Sequence, residues 1–355
     1  MMDGIIIEKD IINLLGQEIK QIYTNNYTNH KIAIITDENI DRLYGEKIIK
    51  SLKLYNFETI KIVINAGEES KSLKTLEYLY SILIRNGVTR NDLLIAFGGG
   101  VVGDLTGFCA ATLYRGISYI QVPTTLLAQI DSAIGGKTGI NLKEGKNLAG
   151  SFYKPQKVII DPNLLKTLSE RNFKNGIAEI IKYGIICAGK LFSILENNKK
   201  SFSNNLEFII KNCVQIKTEI VRADEFDNNG VRICLNFGHT FGHAIEAYYK
   251  YSQKYLHGEA VAIGMYIISK IGVQLNVTST ECFNRIKNLL ILYGFDIELD
   301  IPLKKLLKFI KNDKKNISKS LNLVFASKIG QYEVKEFTIE EISEILEKIW
   351  KFVFL

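Results

Sequence analysis

Cysteine is scarce in this sequence, with five residues in a chain of 355. The five are scattered, their number is odd, and no two form a Cys-x-x-Cys pair. This pattern argues against a disulfide framework and against a thiolate metal site, and it is typical of a reducing compartment. The first residues also lack the basic start and long apolar stretch of a signal peptide. We therefore expect a cytoplasmic protein.

Long apolar runs and blocks of one charge are also missing. The longest apolar run, from Ala260 to Ser269, ends at Lys270 and is shorter than the roughly 18 residues that cross a bilayer. The formal net charge is +7, but the lysines are spread along the chain and form no nucleic-acid-binding module. We expect neither a membrane nor a nucleic acid as a partner, although single cations could serve an anionic ligand.

The first part of the chain alternates short β-branched runs with amphipathic stretches. A buried strand is predicted at Lys31–Thr36, and further strands are predicted at Thr59–Ile64, Leu93–Phe97 and Ile117–Val122. Helical spacing follows the first two, at Leu43–Tyr55 and Leu73–Asn86, and the second helix closes at Gly87. Strands that alternate with helices predict a Rossmann-like α/β domain with a mostly parallel sheet covered on both faces.

The later part of the chain has mainly helical periodicity. The elements predicted there are the helices Leu164–Thr167, Ile177–Ile186, Leu206–Arg222, Gly238–Tyr249, Gly258–Gly272 and Thr280–Tyr293, the hairpin strands Leu321–Ala326 and Tyr332–Phe337, and a last helix up to about Phe352. A capping box of Thr338 and Glu341 opens the last helix. We assign residues 1–160 to the α/β domain and 161–355 to a mainly α-helical domain.

A glycine-rich turn follows the third predicted strand. Residues 98–103 read Gly-Gly-Gly-Val-Val-Gly, which satisfies G-x-G-x-x-G between a strand and a helical stretch. Such glycines let backbone N–H groups approach a pyrophosphate, although a tight turn without a ligand fits the same pattern. The next strand ends in Pro123–Thr125 and not in the acidic residue that usually binds ribose. An NAD ribose would then need a carboxylate elsewhere, such as Asp37 or Glu68.

Histidine is rare, and three of the four residues fall within a short stretch, at His239, His243 and His257. The first two lie four apart on a predicted helix and so share one face. Imidazole is a common zinc ligand, and a catalytic site usually offers three protein ligands and one open position. The residues alone do not decide which histidines bind metal. Glu179 is a candidate carboxylate ligand or simply a solvated residue, and His30 is expected on the surface.

A second glycine-rich segment, Asp131–Asn141 followed by Glu144–Asn147, carries Lys137 and Lys146 and suits anion binding. It lacks the spacing of a Walker A loop, and a solvated loop is the alternative interpretation. Arg232 and the Asp313–Asn316 segment add cations that could meet a phosphate or a carboxylate, although each alone is typical of plain surface.

Taken together and in order, these segments resemble the 3-dehydroquinate synthase family. The matching segments are Gly98–Asp104 (GGGVVGD), Tyr114–Gly116 (YRG), Gln121–Thr125 (QVPTT), Asp131–Asn141 (DSAIGGKTGIN), Gly145–Asn147 (GKN), Ala178–Gly184 (AEIIKYG), Asn236–Glu246 (NFGHTFGHAIE), His257–Met265 (HGEAVAIGM) and Asp313–Asn316 (DKKN). They span most of the chain, and their combination is far more specific than any one motif.

The resemblance implies an N-terminal nucleotide-binding domain, a mainly helical C-terminal domain and a homodimer. It also implies the conversion of 3-deoxy-D-arabino-heptulosonate 7-phosphate to 3-dehydroquinate and phosphate in the shikimate pathway. One ring hydroxyl is oxidised transiently at the expense of NAD, phosphate is eliminated, the ketone is reduced again, and the ring opens and recloses on carbon. The implied cofactors are NAD and one divalent metal ion, Zn²⁺ or Co²⁺, and the implied partner is a small phosphorylated sugar acid.

The resemblance further implies residue roles. The metal ligands are Glu179, His239 and His257, whereas His243 binds substrate and transfers a proton, so only one histidine of the His-x3-His pair ligates. The implied phosphate contacts are Lys137, Asn147, Arg115 and Lys314 (or Lys315), and Arg115 reaches the other subunit of the dimer. The implied contacts to the substrate carboxylate and hydroxyls are Lys217, Arg232, Asn236, Lys182 and Asp131. The implied NAD contacts are Asp37, Glu68, Lys71, Gly100, Val101, Val102, Gly103, Asp104, Thr124, Thr125, Lys137, Lys146, Leu164, Leu165, Lys166 and Thr167.

Two departures from the family pattern leave the chemical groups in place. Tyr114 stands where a methionine often precedes Arg-Gly, and the loop Asp227–Gly230 is slightly longer, which bears on the alignment of Lys217. The alternatives are another sugar phosphate cyclase, a metal-dependent polyol dehydrogenase and a non-catalytic binding protein. Only an acidic substrate needs a cationic set such as Lys217 and Arg232, and the retained metal and acid/base positions disfavour a binding protein.

Overall fold

A computed structural model defines residues 4–23, 30–197, 202–252, 254–314 and 320–353. The chain divides into two compact units, Met1–Ser169 and Glu170–Leu355. The sequence prediction placed the division between residues 160 and 161. Between the predicted and the observed boundary lies a short 3-10 turn, Pro162–Thr167, in place of the predicted helix. This turn stays with the first unit because Leu164 is buried in its core.

A parallel sheet forms the centre of the first unit. The described strands of this unit are β1 (Ile5–Ile7), β2 (Lys31–Asp37), β3 (Glu58–Ile64), β4 (Leu93–Gly98), β5 (Ser118–Pro123), β6 (Lys137–Leu142), β7 (Gly145–Phe152) and β8 (Lys157–Ile160). Six of them form the sheet in the spatial order β1-β8-β5-β4-β2-β3. The other two, β6 and β7, form an antiparallel hairpin where the sequence left a solvated loop as one interpretation. The predicted α/β class is confirmed, and β1 and β8 are strands that the sequence did not predict.

Alternate residues of the strands pack into two hydrophobic cores, one on each face of the sheet. Ile32 and Ile34 of β2 belong to one core, and Ala33 and Ile35 belong to the other. All residues of β4 are buried because this strand is covered on both faces. The helices that supply the cover are α1 (Leu15–Lys20), α2 (Glu38–Lys53), α3 (Leu73–Arg85) and α4 (Gly100–Thr112).

The strand order reverses direction in the middle of the sheet. From β2 the chain moves outward to β3, then returns to β4 on the other side of β2 and continues to β5. Ligands of α/β sheets bind in the crevice at the carboxyl ends of the strands at such a point. Asp37 is the last residue of β2, and Gly98 is the last residue of β4. Two predicted nucleotide-binding features therefore lie at the same end of neighbouring strands.

The second unit is mainly helical, as predicted. Its helices are α5 (Glu170–Ile186), α6 (Gly189–Asn197), α7 (Leu206–Ala223), α8 (His239–Tyr248), α9 (His257–Gln274), α10 (Thr280–Leu292), α11 (Leu303–Lys314) and α12 (Ile339–Val353). The predicted hairpin is confirmed as the antiparallel strands β9 (Ser320–Lys328) and β10 (Gln331–Thr338), and Thr338 and Glu341 form the predicted capping box. The sequence did not predict α6 or α11. Within the described ranges, no helix combines the length and the apolar character needed to cross a membrane.

Glycines let three helices of the second unit approach one another closely. A Cβ on Gly264 of α9 would lie 2.0 Å from the carbonyl oxygen of Gly238, directly before α8. A Cβ on Gly258 of α9 would lie 2.1 Å from the carbonyl oxygen of Asn175 on α5. Because both contacts involve backbone atoms, any larger residue would push the helices apart. These contacts set the spacing between α5 and the first turns of α8 and α9.

Candidate metal and nucleotide sites

The three side chains assigned to a metal by the resemblance meet in the second unit. Glu179 lies on α5, and His239 and His257 are the first residues of α8 and α9. Glu179 Oε1 lies 3.5 Å from His239 Nε2 and 3.8 Å from His257 Nε2. The three ligand atoms all lie within 4.8 Å of one another. Two imidazole nitrogens and one carboxylate oxygen therefore face a common point, which is the arrangement of a catalytic divalent metal site.

The environment of Glu179 indicates a ligand. Its side chain is fully buried, and its Oε1 forms no hydrogen bond with a described residue. The ammonium group of Lys182 lies beside Oε2 as an ion pair. A buried carboxylate without hydrogen bonds is costly unless it binds cations. The carboxylate and the two imidazoles form a donor set that fits Zn²⁺ or Co²⁺.

Hydrogen bonds orient the two imidazole ligands. His239 Nδ1 lies 3.1 Å from the carbonyl oxygen of Phe237, so that Nε2 is presented to Glu179. His243 is exposed, and its ring centroid lies 5.4 Å from that of His239 and 6.0 Å from that of His257. The geometry groups His239, and not His243, with Glu179. The sequence left this choice open, and a position beside the metal site suits proton transfer by His243.

Acid is expected to destabilise the metal-free protein through His239. Burial, with the nearby Lys182, His257 and His243, lowers the pKa of His239 well below its usual value. Unfolded histidine titrates near pH 6.5, so below that pH the unfolded chain binds a proton that the folded imidazole rejects. The contribution of His239 to the free energy of unfolding should therefore decrease as the pH is lowered below about 6.5, by at most about 1.4 kcal/mol per pH unit. Urea unfolding with a chelator, from about pH 6.5 to 5.0, measures this slope.

The His239→Gln variant is the matched control for this slope, because glutamine keeps a polar side chain and does not titrate. Its free energy of unfolding should depend less steeply on pH than that of the wild type. Equal slopes in the two proteins would contradict the assignment of the effect to His239.

Three residues that hold the metal ligands or Arg232 in place received no role from the sequence. Glu246 of α8 contacts His257, and Asn175 of α5 accepts a hydrogen bond from the backbone at the start of α9. Asp224 accepts hydrogen bonds from four backbone N–H groups of the loop that leads to Arg232, at 2.9 to 3.3 Å. A signal for Glu246 was available, because its seven-residue spacing from the first histidine of α8 places both on one helical face.

Arg232 is a buried cation with unsatisfied donors. The residue is 4% exposed, and its Nε and Nη2 groups have no hydrogen-bond partner among the described residues. It lies on the 3-10 turn Val231–Asn236, and its own backbone N–H is held by Asp224. A guanidinium presents its donors as a planar fork that matches a carboxylate. This fork can bind a carboxylate or a phosphate group of a ligand.

The other assigned residues of the second unit lie on several elements. Lys217 is half-buried on α7, which packs against the turn that carries Arg232. Asn236 is exposed at the end of that turn. Lys314 ends α11, but its side chain lies outside the described residues, as does the whole of Lys315. Their assigned contacts stay predictions.

The glycine turn of the first unit opens helix α4. The N-cap residue is Gly99, which offers no side chain to cap the helix, and the first turn carries no acidic residue. The N–H groups of residues 100–102 are thus suited to an anion. Beside them, the buried hydroxyl of Thr124 has no hydrogen-bond partner in the described structure, while its N–H donates to the carbonyl of Gly98 at 3.0 Å. These features fit the pyrophosphate of a dinucleotide.

Two residues assigned to NAD have local structural roles. A Cβ on Gly103 would lie 2.8 Å from Gln121 Oε1 on β5, so this glycine lets α4 pack closely on the sheet. Asp37 Oδ1 caps α2 by accepting hydrogen bonds from the N–H groups of Asn39 at 2.9 Å and Ile40 at 3.1 Å. Burial raises the pKa of Asp37, although these two N–H groups oppose the shift. The cap uses one carboxylate oxygen and leaves Oδ2 outside these bonds.

A polar network joins other nucleotide residues to Asn147. Lys71 is 5% exposed and bridges the carboxylate of Asp104 and the amide oxygen of Asn147. Glu68 Oε1 accepts a hydrogen bond from Asn141 Nδ2 at 2.8 Å. Asn141 Oδ1 accepts in turn from the backbone N–H of Asn147 at 3.0 Å. The structure thus places three residues assigned to NAD beside one assigned to phosphate, and it adds Asn141, which had no assigned role.

The remaining assigned residues of the first unit lie on turns and strand ends. They are Thr125, whose hydroxyl accepts from the N–H of Ala128 at 3.2 Å, Asp131 in the π-helical turn Ala128–Ser132, Lys137 at the start of β6, Lys146 with its ammonium 3.9 Å from Glu68 Oε1, and Leu164, Leu165, Lys166 and Thr167 in the turn Pro162–Thr167.

Arg115 is exposed and has a φ of +62°, next to Tyr114 with a φ of +53°. Such strain tends to be retained at functional sites. The Tyr114 hydroxyl donates to the carbonyl of Val88 at 3.0 Å and anchors this turn.

The architecture is that of the sugar phosphate cyclases. The structure of 2-epi-5-epi-valiolone synthase from Streptomyces hygroscopicus subsp. jinggangensis, with NAD⁺ and Zn²⁺ bound, is 25% identical, with a TM-score of 0.87 over 98% of this chain and 96% of that chain. A 2-deoxy-scyllo-inosose synthase complexed with carbaglucose-6-phosphate, NAD⁺ and Co²⁺ is also 25% identical, with a TM-score of 0.83 over 97% of this chain and 96% of that chain.

Family models and a curated relative give a closer assignment. The model of the 3-dehydroquinate synthase N-terminal region matches residues 61–175, and that of the C-terminal region matches residues 176–316. The 3-dehydroquinate synthase of Clostridium acetobutylicum is 44% identical over 349 residues, which cover 98% of this chain and 96% of the relative. The chain belongs to the 3-dehydroquinate synthase family, as the sequence motifs predicted.

Proposed function

We propose that this chain converts 3-deoxy-D-arabino-heptulosonate 7-phosphate to 3-dehydroquinate and phosphate. Family membership supports a lyase that acts on a small phosphorylated sugar. The observation that carries the choice of an acidic sugar is Arg232, whose buried Nε and Nη2 donors lack partners among the described residues. A substrate carboxylate would satisfy these donors, whereas a polyol or a neutral sugar phosphate has no carboxylate to place there.

The chain's residues are proposed to hold two cofactors. When bound, NAD supplies a transient oxidant and Zn²⁺ or Co²⁺ supplies a Lewis acid that lowers the pKa of a substrate hydroxyl. Glu179, His239 and His257 hold the metal ion. The glycine turn of residues 98–103 and the polar network around Lys71 hold the nucleotide, and the ribose carboxylates come from strand ends.

Other residues are proposed to bind and orient the substrate. Arg232 forms a forked pair of hydrogen bonds with the carboxylate, and His243 takes up and returns a proton at an imidazole nitrogen. Contacts to the hydroxyls come from Asp131, Lys182, Lys217 and Asn236. Contacts to the phosphate come from Arg115, Lys137, Asn147 and Lys314, and the three cations among them stabilise the charge on the leaving group.

The Arg232→Met variant should lose activity without losing stability. Removing a buried, charged side chain that donates hydrogen bonds to a ligand typically costs about 3 kcal/mol of binding free energy. The value of kcat/KM should therefore fall on the order of 100-fold, with much of the change in KM. Because methionine replaces a buried cation that lacks partners for two donors, the melting temperature should be unchanged or higher. Steady-state phosphate release and thermal unfolding measure the two effects.

Arg285→Met is the matched control for this variant, because Arg285 forms an ion pair with Glu196 and its side chain is 38% exposed. Its kcat/KM should equal that of the wild type. Wild-type kcat/KM in Arg232→Met would remove the carboxylate site from the proposal.

One assay tests the whole function. Purified protein receives the heptulosonate phosphate, a catalytic amount of NAD, and Zn²⁺ or Co²⁺. Stoichiometric phosphate release without accumulation of NADH is the expected result. Net NADH formed from glycerol would favour a polyol dehydrogenase, phosphate release from a neutral sugar phosphate alone would favour another cyclase, and no turnover with any metal would favour a binding protein.

The homodimer and the cytoplasmic location stay predictions. The strained turn at Tyr114 and Arg115 supports a role for this exposed guanidinium at a neighbouring subunit's site, because strained backbone persists where function requires it.

A further inference from the structure

We propose that Glu246 is a positioning residue, which holds the imidazole proton of His257 on Nδ1 and so presents Nε2 to the metal ion. Because this role rests on the proposed function, it takes Glu179, His239 and His257 as the metal ligands. Glu246 itself is not a ligand in this proposal, and it acts only through His257.

The two ring nitrogens of His257 face in different directions. Nδ1 lies 3.0 Å from Glu246 Oε2, and Nε2 lies 3.8 Å from Glu179 Oε1. The first separation is a hydrogen-bond distance, at which the ring N–H donates to the carboxylate. A neutral imidazole has one N–H, so this bond leaves the lone pair on Nε2, toward Glu179. A carboxylate behind a ligating histidine fixes its tautomer, orients its ring and raises its basicity.

The surroundings of Glu246 hold its carboxylate beside the imidazole of His257. Glu246 is 5% exposed, so its charge needs a partner inside the protein. It lies seven residues after His239 on α8, and both therefore face the same side of the helix. The close contact of Gly238 and Gly264 fixes the spacing of α8 and α9. The helix that supplies one metal ligand thus also supplies the partner that orients another.

A separate cation site is the rival interpretation. Ligand atoms of His243, Glu246 and His257 also lie within 4.8 Å of one another. A cation there would require His257 to give up its hydrogen bond and use Nδ1 as a ligand. With Nε2 already committed, one imidazole would then bridge two cations. The simpler arrangement assigns one ring nitrogen to the metal and the other to Glu246.

Metal affinity is the first test. Chelator competition with Zn²⁺ and with Co²⁺ gives the dissociation constant and the number of bound ions for the wild type, Glu246→Ala and Glu246→Gln. Loss of such a partner typically weakens metal binding 10- to 100-fold, which is the expected result for Glu246→Ala. Glu246→Gln should recover part of the loss, because its amide oxygen still accepts the hydrogen bond without the charge. Glu196→Ala is the matched control, since Glu196 pairs with Arg285 away from the histidines, and its affinity should not change.

The tautomer of His257 is the second test. If Glu246 had a merely structural role, its replacement would not change this tautomer. Long-range ¹⁵N–¹H correlation spectra of the metal-free proteins at about pH 8 should show His257 protonated on Nδ1 in the wild type. Glu246→Ala should shift it toward a mixture with the Nε2 tautomer, and the visible spectrum of bound Co²⁺ should change as well. If Glu246→Ala does not fold, the same shifts in Glu246→Gln, smaller in size, carry the test.

Three outcomes would overturn the positioning role. Wild-type affinity together with a wild-type tautomer in Glu246→Ala would defeat it, while metal-dependent phosphate release by the wild type would leave the proposed function intact. Two bound ions in the wild type and one, of unchanged affinity, in Glu246→Ala would establish the separate cation site instead. A wild-type protein that binds no divalent metal ion would defeat the proposed function and the positioning role together.

Discussion

Replacing His257 by alanine is expected to abolish metal-dependent turnover while the protein stays folded. The substitution removes one of three ligands, and a Lewis acid contributes several kcal/mol to the stabilisation of the transition state. Because about 1.4 kcal/mol corresponds to a factor of ten, kcat/KM should fall by at least roughly 1000-fold. Phosphate release at saturating Zn²⁺ or Co²⁺ measures the loss, and circular dichroism checks that the helices remain.

His30→Ala is the matched control for His257→Ala. This histidine belongs to the first unit, where its ring stacks on Tyr23 with centroids 4.1 Å apart. His30 was predicted on the surface but is half-buried, and its stacked ring is not one of the metal ligands. The control should keep wild-type kcat/KM. Wild-type phosphate release by His257→Ala would defeat the ligand assignment.

Gly264→Ala is expected to damage both stability and the metal site. The new Cβ would lie 2.0 Å from the carbonyl oxygen of Gly238, so α8 and α9 must separate to make room. Forcing a side chain into a packed contact costs about 3 kcal/mol at the upper end of the usual range, or roughly 6–12 °C in melting temperature for a unit of this size. Since Gly238 directly precedes His239, the same shift should also weaken Zn²⁺ binding. Thermal unfolding and chelator competition measure the two losses.

Gly189→Ala gives the matched comparison, because it adds the same methyl group in the first turn of α6. Its Cβ would lie 3.6 Å from the carbonyl oxygen of Ile329, which is ordinary van der Waals contact. Alanine is the better helix former, so the melting temperature should be equal or slightly higher. Equal melting temperatures for Gly264→Ala and the wild type would contradict the close approach of α8 and α9.

Much of the fold of the first unit could be predicted from the sequence. The strands β2, β4 and β5 are largely buried runs of β-branched and apolar residues, which a parallel sheet requires, and the edge strand β3 is a β-branched run in which only Ile62 and Ile64 are buried. The short strands β1 and β8 escaped prediction because their pairing, such as Ile5 with Val158, joins distant parts of the chain. α2 begins at Glu38 and not at the predicted Leu43, because the side chain of Asp37 caps a polar first turn that carries no hydrophobic periodicity.

The candidate metal site could be predicted only in part. The clustering of histidines indicated a metal, but spacing alone made His239 and His243 equivalent, since both lie on one helical face. Glu179 is isolated in the sequence, and only the resemblance and the packing of α5 against α9 bring it to the histidines. The environment of Arg232 could not be foreseen, because burial and missing partners are properties of the folded chain.

Lys71 has a consequence for how two ligands communicate. The same ammonium group contacts Asp104, which is assigned to the nucleotide, and Asn147, which is assigned to the phosphate of the substrate. If Lys71 turns toward a bound nucleotide, it leaves the amide oxygen of Asn147 open to a phosphate ester, and a phosphate ester that engages Asn147 leaves Lys71 to Asp104 and the nucleotide. In that case each ligand would change the affinity of the other by the same factor, whichever arrives first. The coupling would then pass through a single side chain.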